Sequence, residues 1–345
     1  TCEAGVRVHD RLGDRKNKAT ARIKFVVKRL GPEAFRQEVF AEREKLPRYP
    51  YPDMEMPETD EQPPAPVAVG DIQVNGVFRR WRLTNVVAQK QPGYSVVIIR
   101  LGLGDISSAQ MRDLAQIIRR YGGGKLRTAI EQNLVLRWVR TDQLPALFME
   151  LSRIGLAEPE AERLWDVTSC PGAETCQLGI SASRGLARAL ETQFKRAGLS
   201  GDDIDRVRIK VSGCPNSCGQ HHVADIGFFG GARKVNDRLA PHFQLLLGGL
   251  AEEGKAEFGQ PILKLPARRI PEATVRILER YRQDRHSPQE SFRDFAKRVG
   301  VAYWKQALDA FTTLPAYDDA PEAYRDWGAE TDFSLGGMGP GECAA

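Results

Sequence analysis

Four cysteines in two tight pairs constrain this chain more than any other feature: Cys170 and Cys176 in SCPGAETC, then Cys214 and Cys218 in SGCPNSCG. The spacing is C-x5-C and then C-x3-C, with residues 177–213 between the pairs. Four thiolates are what one 4Fe–4S cubane requires, while most zinc knuckles and ribbons follow a C-x2-C rhythm. Each pair also begins Cys-Pro, which bends the backbone where sulfur must turn inward. Scattered buried thiols would account for Cys2 and Cys343, yet not for two short-spaced pairs. A structural zinc site is the stronger rival, since C-x3-C lies within its tolerance. Disulfides rank below both, because the chain opens with no apolar signal segment and nothing points to an oxidising compartment. The cluster reading prevails.

At 345 residues, 41% of them hydrophobic, the chain can bury a sizeable core and is expected to hold two domains or more. No apolar run approaches the length of a bilayer span, so no membrane partner is expected and the location read from the sequence is cytoplasmic. The net charge is +5, from 50 basic against 45 acidic residues. That mild excess suits anionic substrates, an anionic cofactor and an acidic electron donor. It is not gathered on one face with aromatic platforms, so no nucleic-acid partner is expected. The first residue is Thr rather than Met, and the chain reads as the back part of something longer.

Five segments are expected. Residues 1–46 end in a helical stripe of Ile23, Val26, Val27 and Leu30, stopped by Gly31-Pro32. Residues 47–66 are Pro-rich and acidic, which favours an extended connector. Residues 67–160 show strands at Val77–Val87 and Tyr94–Leu101, then a helix opened by a Ser107/Gln110 capping box with Met111, Leu114, Ile117 and Ile118 on its apolar face. A strand over Leu126–Val139 and a helix bearing Leu144, Leu147, Phe148 and Leu151 follow. That order resembles a ferredoxin-like, split βαβ domain. Residues 161–327 hold a strand at Leu164–Thr168, a helix at Ile180–Arg196 with Leu186, Leu190 and Phe194 on one face, and a strand at Val207–Val211. Each cysteine pair thus lies just past a strand end, where sites on sheets form. Strands Ala224–Phe229 and Phe243–Leu247 and helices Glu272–Arg282 and Gln289–Val299 complete a mixed α/β layer. Residues 328–345 are Gly-rich and polar and read as a flexible tail. The fold class is α+β.

The cysteine pairs resemble those of the sirohaem and 4Fe–4S nitrite and sulfite reductases, with the assimilatory sulfite reductase haemoprotein the nearest type. The resemblance implies that Cys170, Cys176, Cys214 and Cys218 hold one 4Fe–4S cluster, and that Cys218 bridges it to the sirohaem iron. Residues 14–30, DRKNKATARIKFVVKRL, are similar to the basic segment that closes the family's first sirohaem half. There a basic-x-basic pair projects into the substrate cavity, and Arg22 and Lys24 stand at the matching positions. Fixed cations would hold an oxyanion and supply protons as its oxygen leaves; the bland rival is a solvated helix face. Arg127, Thr128, Gln132 and Asn133 in LRTAIEQNLVL resemble the strand motif that faces the cofactor, although Glu131 stands where the family usually has Asn. A polar pair inside an apolar strand needs partners, from a cofactor rim or from cross-strand hydrogen bonds. Asn216 matches the residue set against the sirohaem beside the bridging sulfur. His221 and His222 read as structural or surface residues at a strand start, and GFFGGAR lacks the Lys-Ser/Thr of a phosphate loop.

The resemblance further implies a six-electron reductase, sulfite to sulfide first and nitrite to ammonium close behind, fed by ferredoxin or a flavoprotein reductase. These reductases are built from two related halves, and the chain is expected to cover the end of the first and the whole second. Two other classes stay open: a cluster-bearing electron-transfer protein without sirohaem, and a zinc-stabilised binding module.

Overall fold

The computed structural model describes residues 1–335 apart from 15, 17–19, 48–62, 68–71, 200, 202 and 236. Most of the Pro-rich connector, residues 336–345 of the tail and Cys343 therefore lie outside the described residues. The chain divides into two units, one carrying Thr1–Asp60 and the other Glu61–Leu335.

The first unit contains α1 (Cys2–Leu12), α2 (Ile23–Leu30) and α3 (Pro32–Glu44). The apolar stripe read from the sequence is α2, yet only Val26 of its four residues is buried. Gly31 ends α2 at φ +85°, a conformation glycine adopts without a Cβ penalty. Pro32 then opens α3, where its missing N–H costs nothing. The stop at Gly31-Pro32 is also a start.

In the second unit, α4 (Gly76–Asn85) and β1 (Val86–Ala88) occupy the stretch expected as a strand over Val77–Val87. The reason is periodicity: Phe78, Trp81 and Asn85 recur at three-to-four spacing and are all buried. Asn75 caps the helix, its side chain accepting from the Phe78 N–H at 3.0 Å. Then come β2 (Tyr94–Ile99), α5 (Ser108–Tyr121), β3 (Arg127–Thr128), β4 (Leu134–Arg140) and α6 (Leu144–Arg153). The four strands form an antiparallel sheet in the order β1-β2-β4-β3. The single strand expected over Leu126–Val139 is a hairpin, with its turn at residues 129–133. The Ser107/Gln110 capping box opens α5 as expected; Leu114, Ile117 and Ile118 are buried, while Met111 stays 43% exposed. Leu114, Ile117 and Ile118, the α4 aromatics and Leu144, Leu147, Phe148 and Leu151 of α6 share one core, each large side chain contributing about 1.5–3 kcal/mol.

The rest of the unit holds β5 (Thr168–Ser169), α7 (Ser183–Arg196), β6 (Ile209–Ser212), β7 (Ile226–Val235), β8 (Arg238–Leu247), β9 (Leu250–Glu252), β10 (Lys255–Glu257), β11 (Gln260–Pro266), α8 (Ile270–Asp284) and α9 (Phe292–Ala307). Five strands make a mixed sheet in the order β11-β8-β7-β6-β5. The β5-β6-β7 part is parallel and the β7-β8-β11 part antiparallel. A parallel pair needs a crossover, and α7 supplies it, with Leu186, Leu190 and Phe194 fully buried. The strand expected from Leu164 begins only at Thr168, because the Asp166 side chain accepts from the Glu162 N–H at 2.8 Å and curls the chain there. No helix among the described residues is long and apolar enough to cross a membrane.

Candidate functional site

Neighbouring parallel strands deliver both cysteine pairs. Ser169 of β5 sits in register with Val211 of β6, so Cys170 and the Gly213-Cys214 step leave the sheet side by side. The Cys170 N–H donates to the Val211 carbonyl at 3.1 Å. The Gly213 N–H donates to Cys170 Sγ at 3.1 Å, and the Gly213 carbonyl accepts from the amides of Ile180 and Ser181, each at 3.0 Å. The two loops are therefore joined backbone to backbone. Glycine makes that approach possible: a Cβ on Gly213 would stand 2.6 Å from the Ser181 carbonyl oxygen and 2.7 Å from Gly172 Cα. A Cβ on Gly230, in the GFFGGAR run of β7, would meet the Gly213 oxygen at 2.5 Å. That run is a packing surface for the loops.

The described cysteines are thiols, not disulfides. Cys170 and Cys214, the first of each pair, are 8% and 6% exposed, while Cys176 and Cys218 are exposed. Among the described residues no three His, Cys, Asp or Glu side chains close on a single metal ion. A lone tetrahedral zinc needs its thiolates about 3.8 Å apart, whereas a cubane spreads four thiolates over four irons. An N–H donated to a sulfur, in a cradle too tight for a Cβ, is a donor environment that a thiolate-held cluster fits.

The polar pair of the hairpin turn finds protein partners. Gln132, at φ +69°, grips Ser169 twice: its Nε2 donates to the Ser169 carbonyl at 2.8 Å, and its Oε1 accepts from the Ser169 N–H at 3.0 Å. Asn133, 1% exposed, accepts from the Leu101 N–H at 2.9 Å and donates to Asp166 at 2.6 Å. Of the two sources of partners left open by the sequence, the protein supplies these. Arg127 and Thr128 are exposed on β3, and Arg127 shares a shallow pocket with Lys125 and Arg137. Asn216 is exposed between the second pair.

His221 is fully buried, with Nδ1 2.8 Å from Ser212 Oγ and its ring 4.1 Å from that of His222 and 4.8 Å from that of Phe229. Burial, helped by the neighbouring His222, holds its pKa down to about 3. It packs as a neutral ring under the second cysteine loop, the structural role read from the sequence. Arg22 and Lys24 belong to the other unit, at the N-cap and in the first turn of α2.

Residues 87–154 match the nitrite/sulfite reductase ferredoxin-like half domain, and residues 160–312, with all four paired cysteines, match the nitrite and sulphite reductase 4Fe-4S domain. The chain belongs to the nitrite and sulfite reductase family. A chloroplastic ferredoxin–nitrite reductase of Zea mays is 32% identical over 256 residues, which is 72% of this chain and 41% of that protein. A protein of Mycolicibacterium paratuberculosis named sulfite reductase (ferredoxin) 1 is 28% identical over 86% of this chain and 50% of its own length. The solved Mycobacterium tuberculosis NirA protein shares the fold, with a TM-score of 0.55 at 24% identity over 85% of this chain and 50% of that one. The chain spans half or less of the length of each of these relatives. The family accounts for the 4Fe–4S cluster and the sirohaem as cofactors, and for the α+β fold.

Some supporting residues escaped the sequence reading. Ser183 Oγ donates to the Cys170 carbonyl at 2.7 Å, and Asp326 accepts from the Ala182 N–H at 2.7 Å just before α7. Asp326 lies 144 positions from Ala182, so no local pattern could pair them. Ser183 carried a weak signal: serine near a helix start commonly bonds backbone.

Proposed function

We propose that this chain is the cluster-bearing part of a sirohaem-dependent reductase that takes a small oxyanion, nitrite or sulfite, through a six-electron reduction with ferredoxin as donor. The observation that carries it is the junction of the two cysteine loops, where the Gly213 amide is aimed at Cys170 Sγ. Hydrogen bonds to cluster sulfurs stabilise the charge of the reduced state and raise its potential. Cys170, Cys176, Cys214 and Cys218 would hold the cluster, Cys218 shared with the sirohaem iron and Asn216 beside it. When bound, the two cofactors would supply electron storage and the redox chemistry that reduces the anion. The protein supplies position, charge and protons: Arg22 and Lys24 hold the anion and donate as its oxygen leaves as water. Arg127 of the exposed hairpin pairs with the carboxylates of the macrocycle, which require cations once removed from water.

Sulfite is favoured by the Arg22-x-Lys24 pair and the Gly-rich tail, which resemble bacterial sulfite reductase haemoproteins. Nitrite is the second reading, favoured by the names of relatives such as the maize enzyme. The test is anaerobic reconstitution of the chain with iron, sulfide and sirohaem, followed by its absorption spectrum and its turnover of each anion with reduced ferredoxin. Red-region sirohaem bands with about five irons per chain, four in the cluster and one in the sirohaem, are expected, and the larger kcat/KM assigns the substrate. Cluster absorption without sirohaem bands would mark an electron carrier. A colourless, zinc-binding protein would overturn the proposal.

A further inference from the structure

We propose that the turn at residues 129–133 of the ferredoxin-like half domain is a clamp on both cysteine loops, so that this domain sets the spacing of the cluster ligands. The inference rests on the reading of the four cysteines as ligands of one cluster. Its first jaw is Gln132, whose amide satisfies both backbone groups of Ser169, the residue immediately before Cys170, at 2.8 and 3.0 Å. Its second jaw is Glu131, 3.9 Å from Lys210 Nζ, which in turn donates to Gln220 Oε1 at 2.9 Å. Gln220 lies two residues past Cys218, and its own N–H donates to the Ser217 carbonyl at 2.8 Å, closing the second loop on itself. Adjacent residues of one turn thus reach the start of the first loop and the end of the second.

The turn is held too firmly for an ordinary connection. Gln132 is a non-glycine residue at φ +69°, a conformation that persists only where the surroundings over-determine it. Here they do: Ala129 donates to the Asn133 carbonyl at 2.8 Å, and Asn133 is fixed by Leu101 and Asp166. Lys210, 5% exposed, carries a charge that needs its partners, so the second jaw resists opening. Glu131 supplies a carboxylate that Lys210 faces. Gln132 and Glu131 are positioning residues that act through Ser169 and Lys210.

The test uses the 345-residue chain reconstituted with iron and sulfide, as wild type, Gln132→Asn and Glu131→Gln. Asn tolerates the left-handed backbone but is one methylene too short to reach Ser169, so the turn survives and the grip does not. Glu131→Gln keeps size and removes only the charge. The readouts are the rate of iron loss to a chelator and the EPR spectrum of the reduced cluster in the protein that stays loaded. Losing two hydrogen bonds to a buried segment should speed cluster loss in Gln132→Asn by about tenfold or more and shift the EPR g-values. A smaller change in the same direction is expected in Glu131→Gln. A residue that only stabilised the fold would lower loading and leave the g-values of the loaded fraction unchanged. Wild-type release rates and spectra in both variants would overturn the clamp while the cluster reading stands. Failure of the wild-type chain to take a cluster would overturn the cluster reading and the clamp with it. If Gln132→Asn does not fold, Glu131→Gln decides alone, and unchanged release and spectrum there overturn the clamp.

Discussion

The backbone N–H of Gly213 donates to the sulfur of Cys170 at 3.1 Å, across 43 positions of sequence. This bond places the second cysteine loop against the first thiol. It depends on glycine, because the Gly213 α-carbon faces the Ser181 carbonyl and the Gly172 backbone.

Gly213→Ala should therefore separate the loops. The intruding methyl meets backbone atoms at 2.6 and 2.7 Å, which cannot swing aside as a side-chain end could. Overpacking of this kind costs about 1–3 kcal/mol, and cluster content after reconstitution should fall sharply. Iron and acid-labile sulfide per chain measure it. Wild-type content would show that the loops can part without consequence.

Cys218 and Cys170 should differ in their response to loss of the thiol. Replacing Cys218 with Ser should abolish oxyanion reduction even in the fraction that keeps a cluster, because on the proposed reading its sulfur would couple cluster to macrocycle. The measurement is steady-state turnover set against cluster absorption for the same sample. Full turnover in Cys218→Ser would remove the bridging assignment.

Neutralising Arg22 or Lys24 should act on the substrate. A hydrogen bond to a charged group contributes about 1.5–3 kcal/mol, so Arg22→Gln and Lys24→Gln should each raise KM for the anion by about tenfold or more. Sirohaem and cluster absorption should stay close to wild type. Unchanged kinetics in both variants would place these cations outside the substrate site.

His221 should make stability depend on acid. Buried and neutral, it keeps its pKa near 3, against an ordinary value of 6.5. The unfolded chain takes up the proton first, so the stability is complete above about pH 6.5 and is lost as pH falls toward 3. At pH 5 the loss from this group is about 2 kcal/mol. His221→Phe keeps a ring against Phe229 and cannot titrate, so urea melts at pH 7 and pH 5 should show a smaller acid penalty than wild type. An equal penalty in the two proteins would mean that His221 is not the titrating group.

Much of the site chemistry was legible because it is local. Four thiols in two Cys-Pro pairs offer a donor set whatever the fold, and the Ser107/Gln110 box and the Leu186, Leu190 and Phe194 face declare themselves within a few turns of helix. Even there, periodicity over so few residues misread Val77–Val87, where Phe78, Trp81 and Asn85 settle on the helical spacing once a core exists to bury them. Tertiary structure alone decided what the polar groups bond. Gln132 and Asn133 read from the sequence as a polar pair whose partners could be a cofactor rim or other strands, and their side chains hold Ser169, Leu101 and Asp166. A buried amide takes whichever partner the packed chain brings within about 3 Å, and here those partners come from segments more than thirty positions away. Gly172, Gly213 and Gly230 follow the same rule. Their value is the absence of a Cβ at a contact between distant strands, and a sequence shows which residues are small but not what will press against them.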